Sequence, residues 1–182
     1  MPTLSSTNNL NSDIIDFTLK GIDDKNYSPL NFKDKDILIL IFMCNHCPYV
    51  KAVMERLVAL QEKYKDKKVQ FIGINPNDAE TYPEDSFDNM KLFAQKYKMN
   101  FPYLIDDTQT TARKYDAVCT PDIYVYNKER KLKYRGRLDD SWKDESKITS
   151  KDLEKAIDIL LDSKEINFDQ IPSMGCSIKW KN

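Results

Sequence analysis

Residues 36–64, DILILIFMCNHCPYVKAVMERLVALQEKY, decide how this chain folds. Ile37 to Met43 form an unbroken apolar run rich in β-branched side chains. That is the pattern of a strand covered on both faces in a mostly parallel sheet. Cys44 and Cys47 follow at once, and behind them Val50, Val53, Met54, Leu57 and Val58 recur at helical spacing. Pro48 falls in the first turn of that helix, where a missing N–H does least harm. The helix is expected to run to about Tyr64.

The flanking sequence alternates in the same way. Strands are expected at Ile14 to Leu19, Lys68 to Ile74 and Tyr103 to Ile105. Helices are expected at Ser86 to Tyr97, Thr110 to Tyr115 and Ser150 to Leu161, the last with Ser150 as its N-cap. Asp122 to Tyr126 and Leu132 to Arg137 read as an antiparallel hairpin turning near Asn127. Strand–helix alternation demands parallel pairing with crossover helices, and the hairpin adds an antiparallel edge. The fold class is therefore α/β, one domain over 13–162. Residues 1–12 read as a flexible arm, and 163–182 as a tail that docks on the domain, because Met174, Ile178 and Trp180 are too apolar for a disordered end.

Composition narrows the function. The chain has 182 residues, 28 basic and 29 acidic side chains, and a net charge of −1. Neither sign dominates, so no electrostatic case exists for nucleic acid or an anionic membrane. The polar start lacks a secretory leader's pattern, and the longest apolar run is too short to span a bilayer, so a cytoplasmic location is expected. In that reducing setting the four cysteines, 44, 47, 119 and 176, do not suggest a structural disulfide framework. His46 is the one histidine, so no His-rich metal site can be built. No cofactor and no metal are expected.

The position of the cysteine pair carries the chemistry. A helix start exposes unpaired N–H groups and a partial positive charge, which favour an anion. The thiolate is the reactive species in disulfide exchange. Cys44, at the solvent-facing end, is expected to be the ionised nucleophile, and Cys47 to resolve the mixed disulfide. His46, between them, is expected to lower the Cys44 pKa further. The bland alternative is a pair of inert core thiols. Val118-Cys119-Thr120-Pro121-Asp122 directly precedes a central strand, a common place for a cis X-Pro bond. A cis Pro121 would present the Thr120 backbone to an extended substrate; a trans Pro would merely start the strand.

Three segments, DFTLKGIDDKNYSPLNFKDKDILILIF, CNHCPYVKA and CTPDIYVY, resemble the redoxin branch of the thioredoxin superfamily, which also holds the alkyl hydroperoxide reductase and thiol-specific antioxidant proteins. The likeness spans roughly residues 13–162. It implies a thioredoxin-like fold, a central mixed sheet flanked by helices, with an N-terminal strand extension and an inserted helix–strand unit within Pro76 to Tyr115. It also implies Cys44 as nucleophile, Cys47 as resolving cysteine and Pro121 as the cis-proline facing them. Three departures stand out. Met43 replaces the usual Trp, residues 37–43 contain no acid, and the Pro and Thr that lead to a peroxidase cysteine are absent.

Other residues keep two readings. Cys119 is a buried small hydrophobe or a neighbour of the pair. Cys176 is a third redox thiol at the site's mouth, or the tail is simply anchored by Ile178 and Trp180. Arg135-Gly136-Arg137 with Asp139 and Asp140 is an ion-paired hairpin rim or a substrate loop. The leading function is thiol–disulfide oxidoreductase. Its partners would be a protein or small-molecule disulfide and an unidentified electron donor. The alternatives are a thiol peroxidase with antioxidant activity, a metal-binding redoxin-fold protein using Cys44, Cys47 and His46, and a degenerate fold used only for binding.

Overall fold

The strand at Ile37–Phe42, β4 in chain order, is buried along its whole length. Its side chains alternate between two cores. Ile37, Ile39 and Ile41 join one cluster, while Leu38, Leu40 and Phe42 join the other. Full burial of each contributes about 1.5–3 kcal/mol, so this strand anchors both layers. The computed structural model describes residues 2–181.

Ahead of β4 come β1 (Thr3–Leu4), β2 (Leu19–Gly21) and β3 (Asn26–Tyr27). After it the order is α1 (Pro48–Tyr64), β5 (Val69–Asn75), α2 (Phe87–Lys96), β6 (Tyr103–Ile105), α3 (Thr110–Lys114), β7 (Cys119–Thr120), β8 (Asp122–Tyr126), β9 (Leu132–Arg135), α4 (Asp152–Leu161) and β10 (Met174–Ser177). Seven strands form the main sheet in the order β3-β2-β6-β5-β4-β8-β9. β4, β5 and β6 are parallel, as crossover helices require. The β8–β9 hairpin is antiparallel and turns at Asn127, whose Oδ1 accepts the Lys131 N–H at 2.9 Å. β8 lies inside the sheet against β4, so of the hairpin only β9 is an edge. This is the expected mixed sheet, with β2 and β3 as the N-terminal extension and α2–β6 as the inserted unit.

Three expectations are corrected in detail. The first strand is displaced: residues 14–18 make no ladder, and pairing starts at Leu19. Phe17 still packs in a core, but the Ile15 carbonyl is taken by the Tyr115 hydroxyl rather than by a strand. The last helix begins at Asp152, because the Ser150 hydroxyl bonds the Asp152 carboxylate instead of capping. Of residues 1–12, read as a flexible arm, the segment 3–11 makes ordered contacts with the domain. β1 pairs with β10, Ser5 N–H donates to the Ser173 carbonyl at 2.8 Å, and Asn11 N–H donates to the Leu132 carbonyl at 2.7 Å.

The tail completes a second, three-stranded sheet, β1-β10-β7. Ile178 is buried in one core and Trp180 packs at its margin. Ile178 N–H donates to the Val118 carbonyl, and Arg137 N–H donates to that of Ile171. Both ends of β10 are thereby tied down.

Candidate redox site

The C-x-x-C turn leaves the end of β4 and enters α1 at Pro48, with Cys47 as the capping residue in extended conformation. β7 and the start of β8 bring the cis Thr120–Pro121 peptide against it. Cys44 Sγ lies 3.3 Å from the Thr120 hydroxyl oxygen, and the Cys47 thiol meets the Thr120 carbonyl at 3.2 Å. Chain segments more than seventy residues apart thus converge on two sulfurs.

A residue the sequence reading missed organises the turn. Asp85, fully buried at the end of a short 3₁₀ turn (Pro83–Asp85), accepts the Asn45 N–H at 2.7 Å and the His46 N–H at 3.3 Å on Oδ1. Its Oδ2 accepts the Asn77 amide at 2.7 Å and meets His46 Nδ1 at 2.6 Å. With donors on every other contact, the carboxylate is the acceptor here too, and Nδ1 carries the proton. The His46 ring also stacks on Tyr82, with centroids 5.7 Å apart. Asn45 is held in turn by the Tyr103 hydroxyl at 2.9 Å. No acid was found in the strand before Cys44 because this one arrives from about forty residues downstream. No local spacing announces it.

Asp85 changes the ionisation expected of the pair. It occupies the N–H groups of Asn45 and His46 that a Cys44 thiolate would have used. Cys44 is held well above the ordinary thiol value by its hydrogen bond to Cys47, by burial and by the Asp85 charge. Cys47 is drawn down to about 5, chiefly by the hydrogen bond from the Cys44 thiol, against the cost of burial. The neighbouring Cys176 and the Val50 N–H add to this. Within the pair these shifts run against the expected ionised Cys44 and make Cys47, at the N-cap position of α1, the more acidic thiol.

Exposure is corrected as well. Neither Cys44 nor Cys47 has any accessible surface. The Thr120 edge expected to receive a substrate strand is already paired with β10, with Cys176 opposite Thr120. Gly175 makes this approach possible, since a Cβ there would lie 2.0 Å from the Thr120 carbonyl oxygen. Cys176 packs beside Cys47 and is only partly buried. It is the one cysteine among the described residues that reaches the surface. Both readings of the tail therefore meet in one structure: Ile178 anchors it, and Cys176 stands at the pair.

Cys119 is fully buried, its thiol 3.6 Å from the Pro121 carbonyl and pushed up by burial, with the Asp122 charge second. Arg135 is not on a rim. It is fully buried and bonds Asp122 at 3.1 Å beneath the cis-proline. Arg137 pairs instead with Asp152, and Asp139 with Arg56. Cys44, His46 and Asp85 place one donor atom each within 4.8 Å of one another. That set could hold a borderline metal, but it is one ligand short of a closed tetrahedral site, and His46 and Asp85 already bond each other. No helix among the described residues is long and apolar enough to cross a membrane.

A cysteine pair at a strand–helix junction, facing a proline loop on a mixed sheet, marks a member of the thioredoxin superfamily. The chain belongs to the AhpC/TSA family, which it matches over residues 10–135. A solved structure of an uncharacterized conserved protein from Geobacillus kaustophilus is 42% identical, covers 100% of this chain and 97% of its own, and superposes with a TM-score of 0.94. Thioredoxin-like protein YneN of Bacillus subtilis (strain 168) is 29% identical over 114 residues, 63% of either chain. Peroxiredoxin Q, chloroplastic, of Triticum aestivum is 31% identical over 91 residues, 50% of this chain and 38% of that one. The chain thus spans less than two thirds of the length of these two relatives.

Proposed function

We propose that this protein is a thiol–disulfide oxidoreductase working through Cys44 and Cys47. The observation that carries the reading is the convergence of both sulfurs, at the start of α1, on Thr120 of the Thr120–Pro121 peptide, at 3.3 and 3.2 Å. Cys44 attacks one sulfur of a substrate disulfide while its proton passes to the Cys47 thiolate. A mixed disulfide forms and the substrate's other sulfur leaves as thiolate. Cys47 then loses its proton to solvent and attacks the Cys44 sulfur. The second substrate thiolate departs, and the Cys44–Cys47 disulfide holds the two electrons' worth of oxidation. His46 and Asp85 are positioning residues that hold the turn in register.

Because the Thr120 edge is occupied, substrate is expected in the apolar cleft of about 230 Å³ beside Pro121, lined by Tyr49, Trp142 and Met174. A small disulfide, or a disulfide on a flexible segment, suits it. A reducing cytosol and an unidentified electron donor belong to the same proposal. The test is insulin or glutathione-disulfide reduction by the reduced protein. Activity that survives in Cys44→Ser would end the reading.

A thiol peroxidase is the second reading. The Thr120 hydroxyl, 3.3 Å from Cys44 Sγ, supplies a donor that the segment before Cys44 lacks. The similarity to a peroxiredoxin supports it also. Peroxide consumption with a dithiol reductant separates the two.

A further inference from the structure

The paired thiols are both sealed from solvent, yet any cycle needs reducing equivalents to reach them. The other apolar grooves and the buried Asp122–Arg135 pair offer no route, and Cys119 is sealed as well. One sulfur touches the pair from the outside. β10 holds Cys176 opposite Thr120, whose carbonyl oxygen lies 3.2 Å from the Cys47 sulfur, so both Cys47 and Cys176 are referenced to the same peptide. Gly175 has no tolerated substitute by its geometry, because a Cβ would collide with backbone atoms of Thr120 at 2.0 and 2.5 Å. β1, Ser5 and the anchored Ile178 hold the strand in place. β10 is built as a wall of the site and is not a loose strap over it.

We propose that Cys176 is the solvent-facing port of a three-thiol relay, Cys44–Cys47–Cys176, through which an external dithiol reduces the site. The proposal rests on Cys44 and Cys47 being the redox pair. The Cys176 thiol gives its proton to solvent and attacks Cys47 Sγ of the oxidised pair. The Cys44–Cys47 bond breaks, the Cys47–Cys176 bond forms, and Cys44 leaves as a thiolate that takes up a proton. No electrons are gained or lost in this exchange. One thiolate of the external dithiol then attacks the partly exposed Cys176 and releases Cys47 as thiolate. The dithiol's second thiolate attacks its own mixed sulfur and releases Cys176, so the dithiol becomes a disulfide and the protein gains two electrons.

The resting Cys176 thiol is pushed up to about 11 by burial, then by its hydrogen bond to Cys47 and by the charge there. Oxidation of Cys47 removes that charge, so Cys176 becomes easier to ionise when it is needed.

Trypsin separates the players, because Cys44 and Cys47 share the peptide 36–51 while Cys176 lies in 165–179. Diamide-oxidised Cys44→Ser, alkylated before digestion, is expected to yield these two peptides covalently joined. Oxidised wild type equilibrated in a glutathione buffer is expected to yield both the joined pair and the internal disulfide of 36–51. Reduction of oxidised Cys176→Ser by dithiothreitol is expected to be slower than wild type by about tenfold or more, since only sealed sulfur remains to attack. The proposal is overturned if no joined peptide appears in either protein, or if Cys176→Ser is reduced as fast as wild type. Absence of the internal 36–51 disulfide in Cys176→Ser would instead overturn the assignment of the redox pair itself.

Discussion

The charge on Cys47 has a consequence for folding that can be measured without any substrate. Its thiol is lowered on folding to about 5, while in the unfolded chain it returns to an ordinary thiol value near 9. A lowered acid stabilises the folded state fully above the unfolded value, and the contribution is lost as pH falls to the folded one. At pH 7 the protein stands above the folded midpoint and below the unfolded one, and at about 1.4 kcal/mol per pH unit the thiolate contributes on the order of 2–3 kcal/mol. Cys44 moves the other way, but its shift lies above the unfolded value and acts only at higher pH. The window from 5 to 8 therefore isolates Cys47. Urea unfolding of fully reduced wild type and Cys47→Ser at several pH values gives the test. The stability gap should widen by about 2–3 kcal/mol between pH 5 and pH 7, and the ultraviolet absorbance of the thiolate should vanish in the variant. A gap independent of pH, or a thiolate signal that persists in Cys47→Ser, would refute the argument.

Three further outcomes follow from other contacts. Removing the Asp85 charge in Asp85→Asn lowers the ionisation midpoint of Cys44, and the rate of Cys44 alkylation against pH in a Cys47→Ser background reads it directly; an unmoved midpoint contradicts the role given to that carboxylate. Arg135→Met leaves Asp122 buried without its partner and should cost about 3–5 kcal/mol in thermal or urea unfolding, whereas replacing both residues by apolar ones should recover much of the loss. Gly175→Ala forces β10 away from Thr120, at a cost of about 1–3 kcal/mol, and should speed both tryptic cleavage after Lys164 and alkylation of Cys176. Unchanged proteolysis would mean that the backbone accommodates the clash without releasing the strand.

The α/β class, the central strand, the long helix and the hairpin were legible from 182 letters because each rests on a local cause. A continuous β-branched run is buried wherever it goes, helical spacing of Val50, Val53, Met54 and Leu57 faces one side, and Pro48 marks a helix start. The cysteine pair was legible for the same reason. What only the tertiary structure decided depends on partners distant in the chain. Ile15 lost its strand to a Tyr115 hydroxyl. Arg135 went inward because Asp122 was there to receive it. Asp85 took the turn's N–H groups and set its own charge beside Cys44. Sequence spacing determines which groups can react. Burial and long-range hydrogen bonding determine which of them holds the proton, because an ionisation follows the local dielectric and nearby charges, and neither is a property of neighbouring letters.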